Sequence, residues 1–289
     1  MRSPVIDFHI HPIFYDQFYV ESALNWIKEM HADKDWDQFY REFSDPDYFL
    51  RYLQENGVDC GVVMADLCPA VTGICTNEYV LEFCKGREPL IPFASINPYL
   101  IVHTGRELQR LVEEGFRGLK LYPTYQHYFP NERFLYPLYA KAEELQVPLM
   151  VHTGSSVFKG AKLKYGDPLY LDEVAVDFPD LKIILVHSGR GVWYDSAFVL
   201  TRLHGNIYME VAGLPPQKLL DYFPEMERIS EKILFGSDWP GITDLKGNID
   251  AIRQLPLAEE TKHNILGANA AKLLDLPTEK LRNSKRTAI

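Results

Sequence analysis

The chain has 289 residues, of which 46% are apolar and 24% charged, and a formal net charge of -10. That length and apolar content allow a sizeable core in one large α/β domain, expected here as a single unit over 1–289. The acidic balance argues against nucleic acid or an anionic membrane as partner, and no basic stripe with interleaved aromatics speaks for either.

The N-terminus runs directly into an apolar strand pattern at 5–9. No basic segment followed by an apolar one precedes it, so a signal peptide is not expected. No apolar run approaches the roughly 20 residues needed to span a bilayer. Cys60, Cys68, Cys75 and Cys84 form no CxxC pair. They are expected as free, mostly buried thiols of a cytoplasmic protein.

Further strand patterns follow at 59–65, 90–97, 117–122, 147–152, 182–187, 207–210 and 233–237. Each is nearly continuous in apolar residues, as a strand buried on both faces requires. Helical spacing separates them: Leu108, Leu111 and Val112 share one face, and 136–145 and 171–176 form two more. Asn56-Gly57 and Glu114-Gly115 read as helix stops. Eight such units predict a (β/α)8 TIM barrel. A doubly wound open sheet would carry a glycine-rich phosphate loop after an early strand, and none is present. The stretch 12–47 is long for a first connection and holds Phe14, Tyr15, Phe18, Tyr19, Trp26, Trp36, Phe39 and Tyr40. It is expected to contain helix and to cover the barrel mouth, with packing beside the barrel as the alternative. The polar tail 279–289 is expected to fray.

Polar residues fall at the C-terminal strand ends, where a barrel places its chemistry. His9 and His11 follow strand one, His152 strand five, His187 strand six and Asp238 strand eight. A spacing of two along an extended chain points both His9 and His11 the same way and leaves Ile10 for packing. Imidazoles with one carboxylate and no sulfur suit a catalytic divalent metal: zinc first, with manganese, iron or cobalt as alternatives. A metal lowers the pKa of its water and polarises a substrate oxygen. Asp238 beside it can act as general base and acid, and His187 can donate to developing negative charge.

The segments Ile6-Asp7-Phe8-His9-Ile10-His11-Pro12, Val151-His152-Thr153-Gly154, 178–189 and Phe235-Gly236-Ser237-Asp238-Trp239-Pro240, with the closing helix at 265–274, resemble the motifs of the amidohydrolase superfamily. The likeness is to the branch containing aminocarboxymuconate-semialdehyde decarboxylase and resorcylate decarboxylases. It implies that His9, His11, His152 and Asp238 hold one metal, and that His187 contacts substrate or assists proton transfer. Some members carboxylate a strand-four lysine to bridge two metals; Lys120 is expected to stay unmodified, because the branch most resembled is mononuclear.

Lys120 can bind an anionic substrate group or have its charge paired inside the barrel. Tyr122 on the same strand face can hydrogen-bond substrate or pack. Arg190, where the family often has a small residue, can hold a carboxylate bidentately or face solvent. Glu210 can orient a ligand histidine or form a rim salt bridge. Trp193-Tyr194-Asp195 reads as a helix start with Asp195 as a capping residue, and Trp239 and Pro240 as wall. The first-ranked function is a metal-dependent hydrolase of a small, carboxylated substrate, with water activated by the metal and Asp238. A non-oxidative decarboxylase using the same site ranks second, and a catalytically silent metal-binding barrel, which needs a broken ligand set, third. A homodimer is compatible with all three.

Overall fold

The computed structural model describes residues 4–277; the tail expected at 279–289 lies outside them. Eight parallel strands form one sheet in the order β1 (Ile6–Ile10), β2 (Cys60–Met64), β5 (Leu90–Ser95), β6 (Gly118–Leu121), β7 (Leu149–Gly154), β8 (Ile183–Arg190), β9 (Ile207–Glu210) and β10 (Ile233–Leu234). The ring closes where the Phe8 N–H donates to Phe235 O (2.9 Å), Asp238 N–H to His9 O (3.0 Å) and His11 N–H to Trp239 O (2.8 Å). This is the expected TIM barrel, and all eight expected strands are present. The helices Thr104–Glu114, Tyr136–Glu144 and Tyr170–Asp177 occupy the expected segments. Gly115 ends the first of them with φ 118°, a left-handed conformation that glycine adopts without strain.

Continuous apolar strands are needed because both faces are covered. Ile6, Phe8, Val62, Met64, Phe93, Met150, Ile184, Val186 and Leu234 form the inner cluster, capped by Ala270, Ala271 and Leu274 of the closing helical segment. Ile10, Val63, Leu119, Leu149, Leu185 and Ile233 pack outward into the larger cluster. The register of β1 against β2 shifts between Asp7 and Ile10. This shift changes the phase of β1: Ile6 and Phe8 fill the interior, whereas beyond it Ile10 turns outward. His9 and His11 thereby share the opposite direction.

Three features depart from the sequence reading. The pattern at 233–237 pairs regularly only over Ile233–Leu234, because the Phe235 N–H is taken by Ile265 O and the Ser237 N–H by Asp7 Oδ1. A two-stranded antiparallel hairpin, β3 (Asp66–Cys68) with β4 (Gly73–Cys75), follows β2 and was not anticipated. Asp195 caps nothing: the helix Tyr194–Leu203 has Trp193 at its N-cap with no side-chain cap bond, and Asp195 sits in the first turn, where its charge suits the helix dipole. The four cysteines are buried and free, as expected. Among the described residues no helix is long and apolar enough to cross a membrane.

The insertion does two things. Helix α1 (Glu21–Met30) turns Ala23, Trp26 and Ile27 toward the cavity at the barrel mouth, with Trp26 against Phe158 at 5.1 Å between ring centroids. Phe39 and Phe43 of α2 (Trp36–Phe43) and Phe49 of α3 (Pro46–Glu55) pack around the buried Trp239. His31 joins the two parts, its Nε2 lying 2.9 Å from Pro240 O. The cover reading therefore holds for α1, and packing beside the barrel holds for α2. Trp239 is core, and Pro240 is part of the cavity wall.

Candidate metal centre and substrate cavity

β1 delivers His9 and His11 to the mouth, and the closing bonds between β1 and residues 235–239 bring Asp238 beside them. His9 Nε2 lies 3.1 Å from His11 Nε2 and 3.2 Å from Asp238 Oδ1, and His11 Nε2 lies 3.8 Å from the same oxygen. Donor atoms bonded to one tetrahedral cation at about 2.0–2.1 Å stand about 3.4 Å apart, so these three atoms are at ligand spacing. β7 adds His152, whose buried Nε2 has no hydrogen-bond partner and whose ring is 4.7 Å from that of His187. His9, His187 and Asp238 also present ligand-type atoms within 4.8 Å of one another. The structure thus brings all five expected side chains to one place.

The electrostatics fit a cation. Burial, then the charge of Lys120, pushes His9 and His152 well below the usual histidine range. Burial, then Arg190, does the same to His187. Neutral imidazoles keep the lone pairs that a metal requires. The ring of His187 is fixed differently from the others. Its Nδ1 lies 2.8 Å from Ala212 O, and since a carbonyl only accepts, Nδ1 carries the proton and Nε2 is left as an acceptor.

Glu210 is fully buried beneath the cluster rather than at the rim. Its Oε1 lies 3.3 Å from His9 Nδ1, and its Oε2 accepts the His187 N–H at 3.1 Å. It therefore touches the nitrogen of His9 that faces away from Asp238. Gly236 makes room for it, because a Cβ there would run into Glu210 Oε1 and His9 Cβ.

Asp7, unnoticed in the sequence, ties the two ligand-bearing segments together. Its Oδ1 accepts the N–H of His9 (3.1 Å) and of Ser237 (2.8 Å). Burial pushes its carboxyl up to about 7, so the folded state holds a proton that the unfolded chain releases near pH 4. The stability this contributes is complete below about pH 4 and is lost as pH rises through 7. In chelator-treated protein, Asp7→Asn, which keeps the acceptor without the charge, is expected to gain on the parent by up to about 3 kcal/mol between pH 5 and 8. Urea melts at several pH values measure this; a constant difference would contradict it.

Two cations reach the same cavity. Lys120, on β6, is fully buried; its Nζ lies 5.1 Å over the Tyr122 ring and has no hydrogen-bond partner. Burial pushes its ammonium down, opposed chiefly by Glu210. Arg190 does not face solvent. Its Nε and Nη2 donate to Ser155 O at 3.2 and 2.9 Å, and its Nη1 stands 3.8 Å from Asp238 Oδ2. Gly213 clears the space between them, since a Cβ there would lie 2.6 Å from Nη1 and 2.8 Å from that oxygen. The Tyr122 hydroxyl donates to Ala65 O at 2.8 Å, so this residue offers the cavity its ring rather than its proton.

The cavity holds about 210 Å³ and takes its aromatic wall from Trp26, Tyr122, Tyr125 and Phe158. A dry cavity of about 150 Å³ accepts benzene, so one substituted ring fits. Tyr125, Phe158, Gly213 and Asp66 were not legible as cavity residues, because they sit on loops, in the one-turn helix Pro123–Gln126 or in the short hairpin; the Asp-x-His spacing of Asp7 was the one available signal.

Comparison with known proteins places the fold and the family. A family model described as "Amidohydrolase" matches residues 6–276. A 2-keto-4-carboxy-3-hexenedioate hydratase of Sphingobium sp. (strain NBRC 103272 / SYK-6) is 26% identical over 223 residues, covering 61% of this chain and 62% of its own length. The match thus spans less than two thirds of that relative. A gamma-resorcylate decarboxylase of Rhodococcus jostii (strain RHA1) is 23% identical over 306 residues, covering 83% of this chain and 91% of its own. Among solved structures, an uncharacterized TIM-barrel protein from Bordetella bronchiseptica superposes with a TM-score of 0.76 at 20% identity, over 94% of this chain and 98% of that one, and shares the fold.

Proposed function

The chain belongs to the amidohydrolase family, and on that premise we propose that it is a metal-dependent, non-oxidative decarboxylase of a small carboxylated ring compound. One observation carries the proposal: Arg190 and Lys120, two cations, enter the same aromatic-walled cavity as the histidine–aspartate cluster. This reverses the order given by the sequence, which ranked hydrolysis first. The relative named for decarboxylation aligns over most of both chains, and it supports the second-ranked reading.

His9, His11, His152 and Asp238 would hold the cation. When bound, a divalent metal supplies Lewis-acid polarisation of a substrate oxygen. Zinc is the first choice for this donor set, with manganese, iron or cobalt as alternatives. Arg190, its fork braced on Ser155 O, leaves Nη1 for a carboxylate. Lys120 adds positive charge at a buried point where screening is weak. The bond between ring carbon and carboxyl carbon breaks, CO2 leaves, and the electron pair stays on the ring carbon. Asp238 delivers the proton to that carbon. Its Oδ1 faces His9 and His11 while Oδ2 faces Arg190 and His187 at 3.8 and 4.0 Å, so one carboxylate serves both sides. Without a cation, burial pushes this carboxyl up to about 6 against the pull of Arg190 and Lys120, and a bound metal would draw it down again. His187, protonated at Nδ1 only, accepts rather than donates at Nε2 and orients the substrate.

Water chemistry is the second reading, with Asp238 as base, and the hydratase relative favours it. The silent-barrel reading loses ground because its broken ligand set is not found. A panel of hydroxy- and carboxy-substituted benzoates separates the first two. Decarboxylation predicts trapped CO2 equal to product formed; product carrying oxygen from labelled water, without CO2, would overturn it.

A further inference from the structure

A second carboxylate lies in the cavity wall outside the cluster already described. Asp66 opens the hairpin after β2 and is 7% exposed. Its Oδ2 accepts the Thr72 hydroxyl at 2.7 Å, and the Cys68 thiol, a weak donor, leans on the same carboxyl. Oδ1 has no hydrogen-bond partner, although the residue lines the cavity. Leaving a buried carboxylate oxygen without a donor is costly, and a donor brought in by a ligand would relieve that cost.

The ring order says where that something ends. Running β1, β2, β5, β6, β7, β8, β9, β10, the strands put β2 in second place and β8 in sixth. Asp66 lies two residues past the one and Arg190 ends the other, so the strands that carry them stand across the mouth from each other, four apart in a ring of eight. A one-ring substrate whose carboxylate meets Arg190 therefore points its far edge at the hairpin.

We infer that Asp66 is a specificity-determining residue whose Oδ1 accepts a hydrogen bond from a hydroxyl or amino group on the substrate ring, placed away from the carboxylate held by Arg190. The inference rests on the substrate orientation proposed above. The hairpin provides the rigidity: antiparallel pairing from Asp66 with Cys75 to Cys68 with Gly73 fixes the backbone, and the Thr72 bond fixes the carboxyl. Burial pushes the Asp66 carboxyl up to about 6, which leaves it an anion at pH 7.5, so the bond it makes there is charge-assisted.

The test is calorimetric binding to the zinc-loaded full chain at pH 7.5, with benzoate, 3- and 4-hydroxybenzoate, 4-aminobenzoate and the matching methoxybenzoates as probes. At least one donor-bearing probe is expected to bind about tenfold or more tighter than benzoate, and its methoxy counterpart to show no gain. Asp66→Ala is expected to bring the donor-bearing probe back to within about twofold of benzoate without weakening benzoate itself. Asp66→Asn, isosteric and uncharged, guards against a failure of the alanine variant to fold, and is expected to keep about a threefold gain. Equal binding of donors and methoxy probes, a gain that survives in Asp66→Ala, or no binding of any probe would overturn the inference. Trapped CO2 from the substrate panel reports on the reaction independently: its absence beside an intact donor gain sinks the decarboxylase reading alone, and its presence without a donor gain sinks the role of Asp66 alone.

Discussion

His9→Ala and Asp238→Asn are each expected to lower turnover by about 10³-fold or more, with loss of bound divalent metal and with the barrel still folded. The size follows from the role: losing Lewis-acid stabilisation of several kcal/mol costs at least three powers of ten. Both residues meet at the 3.2 Å contact between His9 Nε2 and Asp238 Oδ1, so His9→Ala removes one of three atoms at ligand spacing and Asp238→Asn removes the negative charge from another. The fold should survive because the inner core above the closing helical segment is aliphatic and aromatic and does not include the cluster. Trimming buried His9 leaves a void worth about 2–5 kcal/mol. His187→Ala supplies the contrast: lower turnover with metal retained. Circular dichroism must accompany metal analysis and kinetics for all three, and full activity in either ligand variant would end the metal-centre account.

Arg190→Ala is expected to raise KM about 100-fold while metal content stays unchanged, because removing one partner of a desolvated charge pair costs about 2–5 kcal/mol. The residue is braced before any ligand arrives. Two donors are already engaged by Ser155 O, so the remaining Nη1 is presented with little further loss of side-chain entropy. Arg190→Lys should recover little, since a single ammonium cannot both hold Ser155 O and reach the carboxylate. Steady-state kinetics on the substrate found in the panel would measure this. A fall in kcat with KM unchanged would instead assign Arg190 to the transition state.

The barrel was readable because its physics leaves a plain trace. Strands covered on both faces must be apolar at nearly every position, and the first halves of β7 (Leu149-Met150-Val151) and β8 (Ile183-Ile184-Leu185-Val186) are. The site was readable because strand ends expose polar residues that an apolar run makes conspicuous, as His152 is after Leu149-Met150-Val151. What stayed hidden depends on contacts that leave no period. Three-residue strands such as Asp66–Cys68 are too short to alternate visibly, so no pattern singles out Asp66. Gly213 and Gly236 matter only for what would strike a Cβ there. The insertion divided its work because Ala23, Trp26 and Ile27 of α1 fall on one helical face at the cavity while the rings of α2 and α3 surround Trp239. Periodicity shows that such faces exist, not which neighbour each will meet. His187 shows the same limit: its place at a strand end was legible, but the proton on Nδ1 is set by Ala212 O, twenty-five residues on.

The most direct test is anomalous diffraction at the zinc absorption edge from crystals of the zinc-loaded protein. A single strong peak within bonding distance of His9 Nε2, His11 Nε2, His152 Nε2 and Asp238 Oδ1 is the predicted result. No peak there, or one bound by other side chains with those imidazoles turned away, would contradict it.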